Sequence, residues 1–304
     1  LSLGGILVAL LLVAGAKITW ERLAGTIASG KIETPAKVGY ASDSTNPREG
    51  SSVHALDSVL HFARKALDHH VREHRDYCAV LAKRERVGGK LLPLSRMEMK
   101  LRYESNSPAK ARAELAPRTV SVYLKTVEPK SQSGREVIWR QGINNDKLLA
   151  HEGGLLGLMT VELAPLSRLA MVGNRYPITE IGIEQLLFKL IERGERDKAV
   201  GPATVRQTEN VMVDDVACNL IEVIHEQKEL VLGERKMEFE FHVAQIYFDP
   251  DRWVPIKYAS YSWPKLEGGE PELDEEYTYE KLEFNVGLTD ADFDRANPQY
   301  RFSK

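Results

Sequence analysis

Hydrophobic and polar positions along the chain follow two periods, and the change between them organises the body of the protein. Downstream of Ser51 and Ser52, both good N-cap residues, Leu56, Leu60, Ala63, Leu67 and Val71 recur every three or four positions. That is the stripe of an amphipathic helix. After Arg75 the period falls to two. A strand opens at Tyr77 and turns at Gly88-Gly89. Met97, Met99, Leu101 and Tyr103 then alternate with Arg96, Glu98, Lys100 and Arg102, and Val120, Val122 and Leu124 alternate with Thr119, Ser121, Tyr123 and Lys125. Each such strand has one dry and one wet face. Shorter strands are expected at 136–140, 148–151, 159–163, 204–212 and 217–225. Met237, Phe239, Phe241 and Val243 mark a long strand with a strongly apolar face, and 254–263 and 276–286 complete the series. A second helix carries the stripe Ile183, Leu186, Leu187, Leu190 and Ile191, with Thr179 as its cap and Gly194 as its end.

About ten successive antiparallel strands, one helix before them and one among them, predict an α+β domain built on a large curved sheet over residues 51–304. Upstream, residues 17–50 lose periodicity and end rich in Ser, Asn, Pro and Gly, as a flexible tether does. Residues 1–16 carry no charge, and twelve of them are aliphatic or alanine. This run fits the apolar region of a signal peptide, with Ala14-Gly15-Ala16 as a small-x-small cleavage pattern; an uncleaved N-terminal anchor and a buried core helix are the alternatives. The expected location is therefore outside the cytoplasm, in the periplasm or cell envelope, with a membrane tether at the N-terminus as one form of attachment.

The averages of the 304-residue chain are ordinary: 43% hydrophobic, 28% charged and a net charge of −3. No basic field exists to gather phosphates, so nucleic acid is not an expected partner. There is no GxSxG elbow and no kinase signature, and no cofactor or enzymatic activity is expected. The glycine-punctuated run from His151 to Met159 lacks the Lys-Ser/Thr and the spacing of a phosphate loop and reads as an apolar loop. His70-Val71-Arg72-Glu73-His74 matches the H-x-x-E-H pattern of a zinc hydrolase, with His70 and His74 as ligands. Against that reading, His74 falls in the apolar stripe, Glu73 points away from it, and the helix is ending there. Asp290-Ala291-Asp292-Phe293-Asp294 imitates a calcium loop but has Arg295 where Gly is needed, which leaves a helical turn capped by Thr289. Cys78 and Cys218 can pair in an oxidising compartment or stay buried as thiols.

The runs YCAVLAKRERV from Tyr77, KLLAHEGGLLG from Lys147, VGNRYPITEIG from Val172, YASYSWP from Tyr258 and EYTYEKLEFNVGLTDADF from Glu276 resemble the exported bacterial domain-of-unknown-function 1571 family. More distantly, the layout resembles the lipoprotein-localisation-factor fold of periplasmic carriers. That resemblance implies an incomplete β-barrel with helices on its concave face and an apolar hollow for acyl chains. The residue pattern leads to the same place. Two helices are a modest cover for the dry face of so many strands, and an uncovered part is an apolar hollow. Filling it with ten methylenes of a lipid or lipoprotein acyl chain yields about 8 kcal/mol before ordering costs. Met97, Met99, Val122, Phe239 and Phe241 are the expected wall, and Leu155, Leu156 and Met159 the expected lid. A fully filled core, serving an envelope interaction or scaffold domain, is the third reading.

Overall fold

The computed structural model describes residues 54–104, 118–153, 159–232, 234–266 and 268–302, all within one compact unit, Val53–Lys304. Among them are two α-helices, α1 (Leu56–Glu73) and α2 (Ile183–Val200), and fourteen strands. The first seven strands are β1 (Asp76–Val87), β2 (Lys90–Leu91), β3 (Ser95–Glu104), β4 (Thr119–Glu128), β5 (Glu136–Arg140), β6 (Leu148–His151) and β7 (Thr160–Leu163). The others, beyond α2, are β8 (Thr204–Val213), β9 (Val216–Ile224), β10 (Glu229–Leu232), β11 (Arg235–Glu238), β12 (Val243–Asp249), β13 (Val254–Ser262) and β14 (Glu272–Phe284). Twelve strands form one antiparallel sheet in the order β7-β6-β5-β4-β3-β1-β14-β13-β12-β9-β8, with β2 paired to β1. The sheet is curved but open, because β7 and β8 are separate edges. The long first and last strands, β1 and β14, pair at its centre.

Both helices lie on one face and run antiparallel. The α1 stripe is buried as its spacing predicts, at Leu56, Leu60, Ala63 and Leu67, and His70 rather than Val71 completes it. Helix α2 differs from expectation at both ends. Thr179 sits in a preceding 3₁₀ turn, and the helix starts after Gly182, whose φ is +110° and whose added Cβ would lie 2.8 Å from Leu101 Cδ1. Gly194 does not end α2; it faces α1 at close range, where a Cβ would meet Leu60 Cδ2 at 2.8 Å. The helix runs on to Val200 and stops before Gly201.

Two other expectations change for physical reasons. The alternation from Met237 to Val243 is not one strand. β11 ends at Glu238 and β12 begins at Val243, with Phe239 and Phe241 buried in the connection against His225. Tyr123 and Ser121 were expected on a wet face and are buried, because the C-terminal segment returns over that side of the sheet. There Phe293 and Phe302 pack on Tyr123 and Ile138, and Tyr300 stacks on Tyr123 at 4.0 Å. Thr289 caps the turn beneath this segment through a capping box with Asp292, as expected. The cysteines are free thiols. β1 and β9 are four strands apart, about 19 Å, far beyond disulfide reach.

A buried polar cluster fixes the start of α2. The orphan N–H groups of a helix start need acceptors, and here the Tyr77 hydroxyl of β1 accepts the Ile183 amide at 3.2 Å while the Tyr103 hydroxyl of β3 accepts the Glu184 amide at 3.3 Å. The Glu184 carboxylate, 1% exposed, accepts from the backbone amide of Arg118 at 2.7 Å and its Nε at 2.8 Å. Arg118 Nη1 donates to the His74 carbonyl at 2.9 Å, which ties in the end of α1. Burial raises the Glu184 pKa, and the guanidinium pulls against that shift. Replacing only Arg118 by Met strands a buried carboxylate and is expected to cost about 3–5 kcal/mol in urea unfolding, whereas Arg118→Met with Glu184→Leu recovers most of the loss.

His70 and His74 complete the cluster. His70 Nε2 meets the Tyr103 hydroxyl at 2.9 Å, its Nδ1 meets His74 Nδ1 at 3.0 Å, and His74 stacks on Phe284 at 3.8 Å. Burial, then neighbouring positive charge, depresses both imidazoles, His74 to about 4. Two facing Nδ1 atoms share one proton, which excludes the doubly protonated pair, and burial disfavours any charge on it. Because the unfolded chain takes up protons near pH 6.5 and the folded pair resists, stability is fully present above pH 6.5 and falls as pH drops towards 4. Thermal melts of wild type and His74→Gln between pH 7 and 4 should diverge in slope over that window, the variant being flatter; parallel profiles would contradict the assignment.

Candidate functional site

Buried polar contacts hold the helix pair at the start, middle and end of α2, with apolar contacts between them. At the far end of α2, Asp197 and His225, each at most 1% exposed, meet at 3.2 Å, and His54 Nε2 contacts the Gly201 carbonyl at 3.0 Å. In the middle, Arg193 reaches across to Glu275 and Tyr258 on the sheet at 3.4 and 3.1 Å. Glu275 stands directly opposite Glu85 in the β1–β14 ladder, and both are buried. Two facing carboxylates repel unless neutralised. Lys83 and the Tyr277 hydroxyl take Glu85 at 3.0 and 2.6 Å, and Arg175 takes Glu275 at 3.2 Å. Burial pushes the Tyr277 hydroxyl well up, with both glutamates adding to the shift, so it stays a donor. This network clips the segment before α2 to the sheet.

Between these pins, α1 and α2 leave a cavity of about 50 Å³ over β9, β12 and β13. Leu56, Leu60, Leu190, Ile221, Phe241 and Ile246 form its walls, and Arg193 and Asp197 stand at its border. For scale, an apolar cavity of about 150 Å³ stays dry and holds a benzene-sized molecule. This one takes only a few methylene groups unless the helices shift.

A groove of about 290 Å³ adjoins it between α1 and the β8–β9 edge. Val59, Phe62 and Ile221 belong to both spaces and form the partition. Phe62 packs edge-on against Phe248 at 4.3 Å and lies 5.5 Å from Trp253. Outside the partition the lining is polar, with His61 and Lys65 from α1 and Glu209 and Asn219 from the strands.

The residues expected to form a site are dispersed. Phe241 lines the cavity, and Phe239 stacks on His225 at 3.8 Å beside it. Met99 and Val122 are fully packed in the main core under the other half of the helix pair, with Met97 half-buried at its margin. Met159 is 53% exposed, and Leu155 and Leu156 lie outside the described residues. The cavity walls missed as such, Leu56, Leu60 and Leu190, were visible as helix stripes, but a stripe does not reveal where packing leaves a gap. His70 and His74 do not form a ligand set with Glu73. Both His70 nitrogens have protein partners, Glu73 is exposed, and no group of three or more His, Cys, Asp or Glu suited to a metal occurs among the described residues.

No curated protein matches the sequence. In structure the chain is similar to a DUF1329 family protein from Desulfovibrio piger ATCC 29098, at 11% identity and TM-score 0.38, over 80% of this chain and 98% of that one. It is also similar to a putative outer membrane lipoprotein-sorting protein domain from Vibrio parahaemolyticus, at 11% identity and TM-score 0.36, over 78% and 96%. A LolA superfamily protein from Nitrosomonas europaea matches at 13% identity and TM-score 0.27, over 80% and 98%. These are likenesses of layout. The family model matches residues 74–302, most of the chain, and on that ground the protein belongs to the family described as protein of unknown function (DUF1571).

Proposed function

We propose that the protein is an extracytoplasmic binding protein for a lipid or lipoprotein acyl chain, which seats between the helix pair and the sheet. The observation that carries this reading is the cavity's lining: apart from Arg193, Asp197 and Tyr258, which belong to the buried polar contacts at its border, the helix and sheet residues around it are apolar. A chain end enters the existing space and the helices yield around it. Each methylene buried contributes about 0.8 kcal/mol, so a long chain offsets the displacement of several leucine contacts. In the widened state the wall runs from Phe241 to Phe239 and on to Met97, Met99 and Val122, and Leu155, Leu156 and Met159 act as the lid. Residues 1–16 direct export or anchor the protein, and residues 17–50 are its tether.

The smallness of the cavity, about 50 Å³, favours one other reading, an interaction or scaffold domain with an essentially filled core. One experiment separates the two. Native mass spectrometry of protein purified from its own envelope should show co-purifying lipid. Ala244→Leu, which adds side chain at the cavity wall, should lower acyl-chain affinity about tenfold or more while costing about 1–3 kcal/mol of stability at most. Lipid-free wild-type protein, indifferent to added fatty acid and to this substitution, selects the scaffold.

A further inference from the structure

The groove outside the partition has features the cavity alone does not explain. Lys65 on the α1 wall and Glu209 on the β8 wall face the same space from opposite sides, and neither makes a hydrogen bond or ion pair with another described residue. His61, one turn before Lys65, is equally unpartnered. In a chain whose surface charges are extensively paired, an unpaired cation and an unpaired carboxylate across one groove form two separate poles. The strand wall is also irregular here. The β8–β9 register shifts between Thr208 and Val211, Asn210 has φ +59°, and the resulting bulge breaks the ladder beside Glu209. Such bulges re-aim side chains next to binding sites. Trp253 lines the same groove with φ +56°, a strained conformation for a bulky residue.

We propose that this groove is a headgroup subsite for a zwitterionic phospholipid-type ligand, its phosphate on Lys65 and His61 and its ammonium on Glu209. The inference rests on the acyl-chain reading above and deepens it. The partition of Val59, Phe62 and Ile221 is the passage through which the chain enters the cavity, so head and tail occupy adjoining spaces. A singly anionic head satisfies Lys65 but sets no positive group against Glu209, whereas a zwitterion complements both poles. Trp253 adds an aromatic face suited to an ammonium.

The test is titration calorimetry below the micelle concentration, with lysophosphatidylethanolamine and lysophosphatidylglycerol of one chain length and a plain fatty acid of that length. The zwitterion should bind about fivefold or more tightly than the anionic lipid, since a partly exposed charge contact is worth that order. Glu209→Lys should abolish or invert the preference, and Lys65→Glu should weaken both phospholipids about fivefold or more. Equal affinity for the two heads, or a preference unmoved by Glu209→Lys, overturns the headgroup subsite while leaving the cavity reading intact. Absence of binding by all three, fatty acid included, overturns the cavity reading itself.

Discussion

β7 and β8 are the two edges of an open sheet, yet they are consecutive strands of that sheet in the chain, and α2 is the link between them. The connection must therefore cross one whole face. Along a flat eleven-strand path that face is about 48 Å wide, and an 18-residue helix is about 27 Å long. α2 cannot cover the face alone. α1, which enters the sheet at its centre through β1, fills part of the rest by lying antiparallel to α2, and Gly194 lets the pair approach closely. The cover, its seam and the cavity below the seam all follow from that crossing.

A crossing helix needs fixed points, and the protein supplies them as buried polar contacts. Ion pairs of Glu184 with Arg118 and Glu275 with Arg193 sit at the start and middle of α2, and a hydrogen bond between Asp197 and His225 sits at its end. Buried ion pairs are weak sources of net stability but costly to break one-sidedly, so they fix position better than they add free energy. Apolar contacts, being non-directional, tolerate sliding. The arrangement fixes α2 at Glu184, Arg193 and Asp197 and leaves apolar contact between these points, and the cavity lies beside the last two of them.

The legible and illegible parts of the sequence divide along the same line. Periodicity located both helices and nearly every strand of the sheet, because a sheet with one covered face imposes period two and a covering helix imposes period 3.6. It failed where tertiary contact overrode local pattern. Phe239 and Phe241 alternate as a strand does, but they are buried by His225 and not by a ladder. Tyr123 alternates as a wet residue, but the returning C-terminus covers it. Gly194 looks like a terminator because only a neighbouring helix explains a glycine in mid-helix. The candidate site was less legible than the fold. A cavity is a defect in packing between elements distant in sequence, and Leu56, Leu190 and Ile246 share no local signal that could have grouped them.

The small cavity and the proposed ligand are compatible on energetic grounds. An unfilled hollow the length of an acyl chain would forfeit the dispersion contacts of its lining, so an unliganded cover closes down on the sheet until only a residual gap remains. Opening it exposes leucine and phenylalanine surface at about 25 cal/mol per Å². In the proposed binding mode, an acyl chain entering from the groove re-covers that surface as it is uncovered, and the two terms change together. The free energy of binding is then set less by the size of the starting gap than by how easily the helices part between their pins. Phe62 is central to that balance, because it is at once a contact of α1 with the core, through Phe248, and the partition between cavity and groove. In the proposed mode, moving it both loosens the helix and opens the passage.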